Sequence, residues 1–317
     1  MGSAAKKIIG ELAEAGYPAA FAPFGAMERI SAHYDKILVE NAGVRYVADA
    51  VNHFKSNQPP DVPFEPLSLF VAAFPCEFSK ISFVLDKKSA SIPIPPFYVD
   101  DPARRARFDE TVKSSLSGYQ TAHTKGVSQK LIAVVSGLGR YGRNNICYID
   151  GIGSYFQLKA YYTDAPCGGA PDYPVRFLDS CEGCGLCRSN CPTGAIGENR
   201  AIDATRCLTM YNERANPLPD WLPGEIHHAL TGCLRCQEVC PANAPLSKMP
   251  TRSIALDEAE TRAFIGSETG GLPEELNAKL KSFGFEERDM QAFARNAGLA
   301  LKNIYSRNVS QNGEPKS

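Results

Sequence analysis

Eight of the chain's 11 cysteines lie between positions 181 and 240, in two groups. The first reads Cys181-x2-Cys184-x2-Cys187-x3-Cys191-Pro192. The second is Cys207, a 25-residue gap, then Cys233-x2-Cys236-x3-Cys240-Pro241. Thiols so close in sequence rarely meet disulfide geometry with one another. A tetrahedral zinc site wants two CxxC pairs, not three thiols at x2 spacing followed by Cys-Pro. The spacing matches the bacterial ferredoxin run, in which three cysteines wrap one cubane cluster and the fourth, before proline, reaches across to the other. On that rule Cys181, Cys184, Cys187 and Cys240 hold one [4Fe–4S] cluster, and Cys191, Cys207, Cys233 and Cys236 hold a second. The chemistry is low-potential electron transfer between two nearby clusters. Cys76, Cys147 and Cys167 are left over and read as buried apolar thiols.

A second pattern, Gly137-Leu138-Gly139-Arg140-Tyr141-Gly142, is a literal GxGxxG. A dinucleotide site needs a long helix directly after the glycines. Here the aromatic and β-branched residues around Gly151-Ile152-Gly153 predict a β-hairpin instead. The glycines then serve either a close backbone approach to something bulky or a tight turn. Other candidates have plainer readings. Adjacent His227 and His228 face different ways on a helix and read as surface or capping residues. Arg104, Arg105 and Arg107, with Lys87 and Lys88, read as a solvated charged face.

The elements that position these residues follow from periodicity. Helices are expected over 4–16 and 26–55, the second broken near Gly43, and over 102–118 and 126–136. The proline-bracketed apolar run 66–75 reads as a buried strand, 81–85 as another strand, and 91–96 as an extended loop. Three helices (256–264, 273–283, 286–306) and a disordered polar tail close the chain. The expected fold class is α/β (α+β), in three parts: 1–168, the cysteine-rich 169–250 and the C-terminal 251–317. The 317 residues carry 34 Lys+Arg against 35 Asp+Glu, so a uniformly basic nucleic-acid-binding surface is excluded. No apolar stretch approaches the ~20 residues of a membrane span. Glu11 and Glu14 interrupt the N-terminal apolar run, which is therefore not read as a signal peptide, and a reducing, cytoplasmic setting is expected.

The chain resembles the epoxyqueuosine reductases, cobalamin-dependent iron–sulfur enzymes related to the reductive dehalogenases. The resemblance rests on Ser136 to Asn144, on the cysteine block with Pro192-Thr193-Gly194-Ala195-Ile196, on Gly232 to Pro241, and on Phe293 to Asn303. It implies a nitroreductase-like domain that cradles a corrinoid, beside a two-cluster ferredoxin-like module and a short helical C-terminal segment. Gly137, Gly139, Gly142, Arg143 and Asn144 would then lie at the cofactor, the glycines admitting the flat corrin ring. The implied activity is reductive cleavage of a C–O bond, an epoxide on a modified anticodon base of tRNA. Its partners would be a flavodoxin- or ferredoxin-type electron donor and the tRNA anticodon loop. Where the family's spacing places its aspartate proton donor, this chain has His123, with Tyr119 a second candidate. An imidazole can do that work near neutral pH, and a surface histidine in the polar stretch 120–125 is the plain alternative. Arg140-Tyr141 and Ala242-Asn243 also depart from the family pattern. Two rival functions are an electron carrier or corrinoid-reducing partner without substrate chemistry, and a binding protein whose clusters are structural.

Overall fold

The computed structural model describes residues 1–41, 45–58, 60–99, 101–198, 202–248, 251–267, 271–286 and 289–311. In chain order the first half contains α1 (Ser3–Glu14), β1 (Ala19–Pro23), α2 (Ala26–Glu40), α3 (Arg45–Ser56), β2 (Ser68–Pro75), β3 (Phe78–Leu85) and β4 (Lys88–Ile94). Then come α4 (Pro102–Ser115), β5 (Thr121–His123), α5 (Gln129–Val135), β6 (Arg140–Tyr141), β7 (Cys147–Tyr148) and β8 (Phe156–Thr163). The second half adds three short helices, α6 (Leu186–Ser189), α7 (Leu208–Asn212) and α8 (Arg235–Glu238). It ends with β9 (Thr251–Leu256), α9 (Glu258–Gly266), α10 (Glu274–Phe283) and α11 (Met290–Gln311).

Two compact units result: Met1–Pro75 with Ala103–Cys184, and Cys76–Pro102 with Gly185–Ser317. They cut across the linear division at 168 and 250. In the first, an antiparallel sheet runs β1-β2-β8-β5. Its inner strand β2 is almost wholly apolar and buried because it has a neighbour on each edge and packing on both faces. Helix α5 is buried from Leu131 to Val135 and packs on β2 and β8. The core collects Ile30, Phe54, Leu69, Val71 and Tyr162 around it.

In the second unit, β4 and β9 flank β3, antiparallel and parallel respectively. Ile81, Phe83, Ile92 and Ile94 face a core shared with Leu256, Phe264, Leu280 and Phe293. The expected loop at 91–96 is corrected: 88–94 is strand β4, which returns from β3 through Asp86 and Lys87, both at positive φ as a two-residue hairpin turn requires. Pro93 misled the sequence reading; it is tolerated because β4 is an edge strand. Strand β9, absent from the expectations, adds in parallel through a long-range pairing. The expected hairpin around Gly151 is also corrected. Strand β7 pairs backward with β6, the 151–153 turn closes only the Ile149–Gly153 bridge, and β8 leaves for the larger sheet. Helix α11 runs to Gln311, past the expected end at 306. Residues 312–317 of the tail lie outside the described residues.

Candidate metal centre

The glycine stretch and the first cysteine form one local structure. Helix α5 ends at Ser136, whose Oγ donates to the Ala133 carbonyl, and the chain then turns at Gly137 with φ +80°. The Gly139 N–H donates back to Ala133 O (3.0 Å). Ribbon β6–β7 follows, its tip closed by Gly142 N–H to Ile146 O (2.8 Å) and by Asn144 Nδ2 to Tyr148 Oη (2.9 Å). Residues 176–178 run beside it: Tyr141 N–H donates to Arg176 O (2.9 Å), and Leu178 N–H to Tyr141 O (2.8 Å). Arg140 grips Asp150 with one guanidinium nitrogen (2.8 and 3.1 Å) and reaches Asp179 with another (3.6 Å). Three residues past Leu178, the Arg143 N–H points at Cys181 Sγ (3.4 Å), and its Nη2 donates to Cys181 O (3.1 Å). The ribbon is thus a template for the entry into the cysteine motif.

The glycines are explained by the chain's own packing. A Cβ on Gly137 would strike the Tyr173 ring. On Gly139 it would lie 2.7 Å from Cys147 Sγ and 2.9 Å from Tyr148 O, and on Gly142 2.6 Å from Asn144 Oδ1. The space a side chain would need is filled by protein, so the turn's own packing requires glycine at these positions. The turn itself lines a cavity of about 290 Å³: Gly137 and Gly139 form its wall together with Arg140, Tyr148, Asp150 and Arg176. That is close to the lower end of small-ligand sites.

In the second unit, Asn190 Nδ2 donates to Arg235 O (2.7 Å) and ties the two cysteine helices α6 and α8 together. Arg206 Nε holds Thr193 O (3.0 Å), and Asn243 Nδ2 holds Gln237 O (2.9 Å). All eight cysteines of the block are half-buried and outside any disulfide. Burial pushes the Cys233 thiol up to about 12, and the nearby Cys207 and Cys191 add to the effect, so three of the four sulfurs assigned to the second cluster are electrostatic neighbours. Soft thiolates in this number suit iron–sulfur ligation. Among the described residues no group of three or more His, Cys, Asp or Glu converges as a single metal ion would require. The number and softness of the thiol donors are what fit clusters.

The 25-residue gap between Cys207 and Cys233 has its own anchors. Asn212 Nδ2 donates to Gly232 O (2.8 Å), Leu230 N–H to Pro93 O (3.1 Å), and Arg295 Nη2 to Tyr211 O (2.8 Å). The Tyr98 hydroxyl bonds Glu213, and its ring covers Gly232, whose φ is +57°. Burial, with Glu213, Cys207 and Cys233 nearby, raises the Tyr98 phenol's pKa well above its ordinary value. Sequence reasoning missed Tyr98, Asn212 and Arg295. The one signal was a polar Arg295-Asn296 pair within the apolar run 292–301.

His123 lies exposed on β5, the edge strand, with its ring 4.5 Å from that of Tyr161. Tyr119 is half-buried in the turn after α4, its N–H bonded to Leu116 O. Both stand at the β5 edge of the sheet, while the glycine turn follows α5. The surface reading of His227 is corrected: it is 1% exposed, and neither ring nitrogen has a hydrogen-bond partner among the described residues. Arg104 and Arg105 lay their guanidinium groups over Phe74 (5.3 and 5.1 Å), so this charged face also covers apolar surface. Cys76, Cys147 and Cys167 are buried as expected.

Residues 180–243, which contain all eight cysteines of the block, match the family described as a 4Fe-4S double cluster binding domain. The epoxyqueuosine reductase of Staphylococcus aureus (strain NCTC 8325 / PS 47) is 32% identical over 138 residues, 44% of this chain and 35% of that protein. The chain thus spans about a third of the length of this curated relative. Among solved structures, the epoxyqueuosine reductase of Streptococcus thermophilus superposes with a TM-score of 0.65 at 17% identity, covering 98% of this chain and 86% of that one. An epoxyqueuosine reductase solved with a tRNA-Tyr epoxyqueuosine-modified tRNA stem loop superposes with a TM-score of 0.62 at 19% identity, covering 94% and 81%. No helix among the described residues is long and apolar enough to cross a membrane. The chain is thus similar to the epoxyqueuosine reductases in fold, and its cysteine block matches the 4Fe-4S double cluster binding domain.

Proposed function

We propose that the chain is an iron–sulfur oxidoreductase of the epoxyqueuosine reductase type. It would take electrons from a flavodoxin- or ferredoxin-type donor through two [4Fe–4S] clusters, with cobalamin as its further cofactor, for reductive cleavage of a C–O bond in a tRNA substrate. The observation that carries this reading is the double-cluster match over residues 180–243 within a chain of epoxyqueuosine reductase fold. Cys181, Cys184, Cys187 and Cys240 would hold one cluster, and Cys191, Cys207, Cys233 and Cys236 the other. When bound, cobalamin supplies a low-valent cobalt able to break the C–O bond.

The chain's own residues do the rest. Arg140, Arg143 and Asn144 fix the ribbon that presents Cys181. Asn190 and Asn243 fix the loops around α6 and α8. His123, exposed on its edge strand, is open to a substrate and able to deliver a proton from its ring; Tyr119 is the second donor. The glycine turn contributes rigidity to this reading, because its Cβ positions are occupied by the chain's own atoms.

The test is optical and kinetic. Protein reconstituted anaerobically with iron and sulfide is mixed with cobalamin. The expected result is a base-off cobalt spectrum that changes when the clusters are reduced, and conversion of an epoxyqueuosine-bearing tRNA stem loop. His123→Phe should abolish that conversion while leaving the cobalt spectrum intact. Reducible clusters without corrinoid binding would favour an electron carrier lacking substrate chemistry.

A further inference from the structure

Arg143 makes two contacts with one proposed cluster ligand. Its backbone N–H lies 3.4 Å from Cys181 Sγ, and its guanidinium Nη2 lies 3.1 Å from the carbonyl oxygen of that same cysteine. Neither contact is a loose surface encounter. The residue before Arg143 closes the ribbon tip through Gly142 N–H to Ile146 O. The residue after it is locked through Asn144 to Tyr148. The segment carrying Cys181 is pinned to the same ribbon by the paired bonds of Tyr141 with Arg176 and Leu178. The amide that faces the sulfur is therefore fixed in direction by a backbone bond on one side and a side-chain bond on the other.

We propose that Arg143 tunes the cluster that Cys181 ligates, raising its reduction potential above that of the second cluster so that the electron comes to rest beside the glycine turn. This rests on the proposed function only in so far as the cysteine block holds clusters. Hydrogen bonds to ligand sulfurs and local net charge are the protein's levers on cluster potential. Reduction adds one electron and one negative charge, part of it borne by the thiolate sulfurs. An N–H dipole aimed at Sγ and a guanidinium held on the same residue both stabilise that added charge, so both favour the reduced state. No proton moves in this step. The electron comes from the external donor, which is oxidised as the cluster is reduced. Arg143 is thus a positioning residue that acts through Cys181.

The experiment is a redox titration of the reconstituted full chain, poised with dithionite and followed by electron paramagnetic resonance, for the wild type, Arg143→Ala, Arg143→Gln and Arg143→Lys. Iron and sulfide content fixes cluster loading in each sample. In Arg143→Ala one of the two midpoints should fall by about tenfold in the reduction equilibrium, or about 59 mV for a one-electron couple, while the other stays in place. Arg143→Lys keeps the charge and should recover most of the shift. Should Arg143→Ala fail to load, Arg143→Gln carries the same expectation, since it loses the charge and keeps a donor for the Cys181 carbonyl. Fully loaded Arg143→Ala or Arg143→Gln protein with both midpoints unchanged overturns the proposal and leaves the proposed function standing. A wild-type protein that takes up no iron or sulfide overturns both.

Discussion

Asn296 of α11 donates its side-chain amide to two carbonyl oxygens at once, Asn212 O and Leu230 O, each at 2.9 Å. Those two carbonyls stand near opposite ends of the gap between Cys207 and Cys233. One fully buried side chain on the C-terminal helix thereby closes a loop flanked by Cys207 and Cys233, both proposed as cluster ligands. Asn212 completes the arrangement by donating to Gly232 O beside Cys233.

Asn296→Ala leaves both carbonyls buried without their donor, at about 1–3 kcal/mol each before relaxation. A loss of about 2–3 kcal/mol in unfolding free energy is expected from denaturant titration. The same variant should release iron faster to a chelator, because Cys207 and Cys233 lose their common tether. Stability within 0.5 kcal/mol of the wild type, a figure set by the usual surface range, would remove Asn296 from this role.

Gly139→Ala discriminates between two reasons for the glycine stretch. Its Cβ would meet Cys147 Sγ at 2.7 Å and Tyr148 O at 2.9 Å, both within the protein. Overpacking of this kind costs about 1–3 kcal/mol. The cofactor-free protein should therefore melt at a lower temperature when residue 139 is alanine. An unchanged melting temperature, with weakened corrinoid uptake instead, would show that the glycine serves the cofactor.

Buried His227 gives the stability a specific pH dependence. Burial lowers its pKa from 6.5 to about 4, with Arg295 and His228 adding to the effect. The ring is neutral in the folded protein, while an unfolded chain protonates it near 6.5. Its contribution is complete above pH 6.5 and drains away as the pH falls toward 4. Between pH 7 and pH 5 the wild type should lose about 1–2 kcal/mol more than His227→Leu, which cannot take up the proton. Parallel losses in the two proteins, measured by urea unfolding at both pH values, would rule out this histidine.

The crossed ligand assignment makes a stoichiometric prediction. Cys207→Ser removes a ligand from the cluster assigned to the second group and should bring iron content from about eight toward about four per chain. Cys184→Ser should do the same through the other cluster. The double variant should lose nearly all iron. If Cys207→Ser keeps its full iron and both paramagnetic signals, Cys207 is not a ligand.

The sequence by itself determined the elements built on local periodicity and the chemistry built on spacing. Helices α1, α4, α5, α9 and α10 and the buried strand β2 were legible because each carries its pattern within a dozen or so residues. The cysteine block was legible because cluster ligation fixes the spacing of its own ligands, whatever surrounds it. Long-range pairing was not legible. Strand β9 shows no distinctive alternation and exists because β3 offers it an edge, and β4 hid behind a proline that only an edge strand tolerates. Two functional relationships also had to wait for the tertiary structure. The glycine turn and Cys181 are 38 residues apart for Arg143, and Asn296 is 66 and 84 residues from the carbonyls it holds. Hydrogen bonds at such separations leave no period in a sequence, because the partner is chosen by the fold and not by the neighbours in the chain.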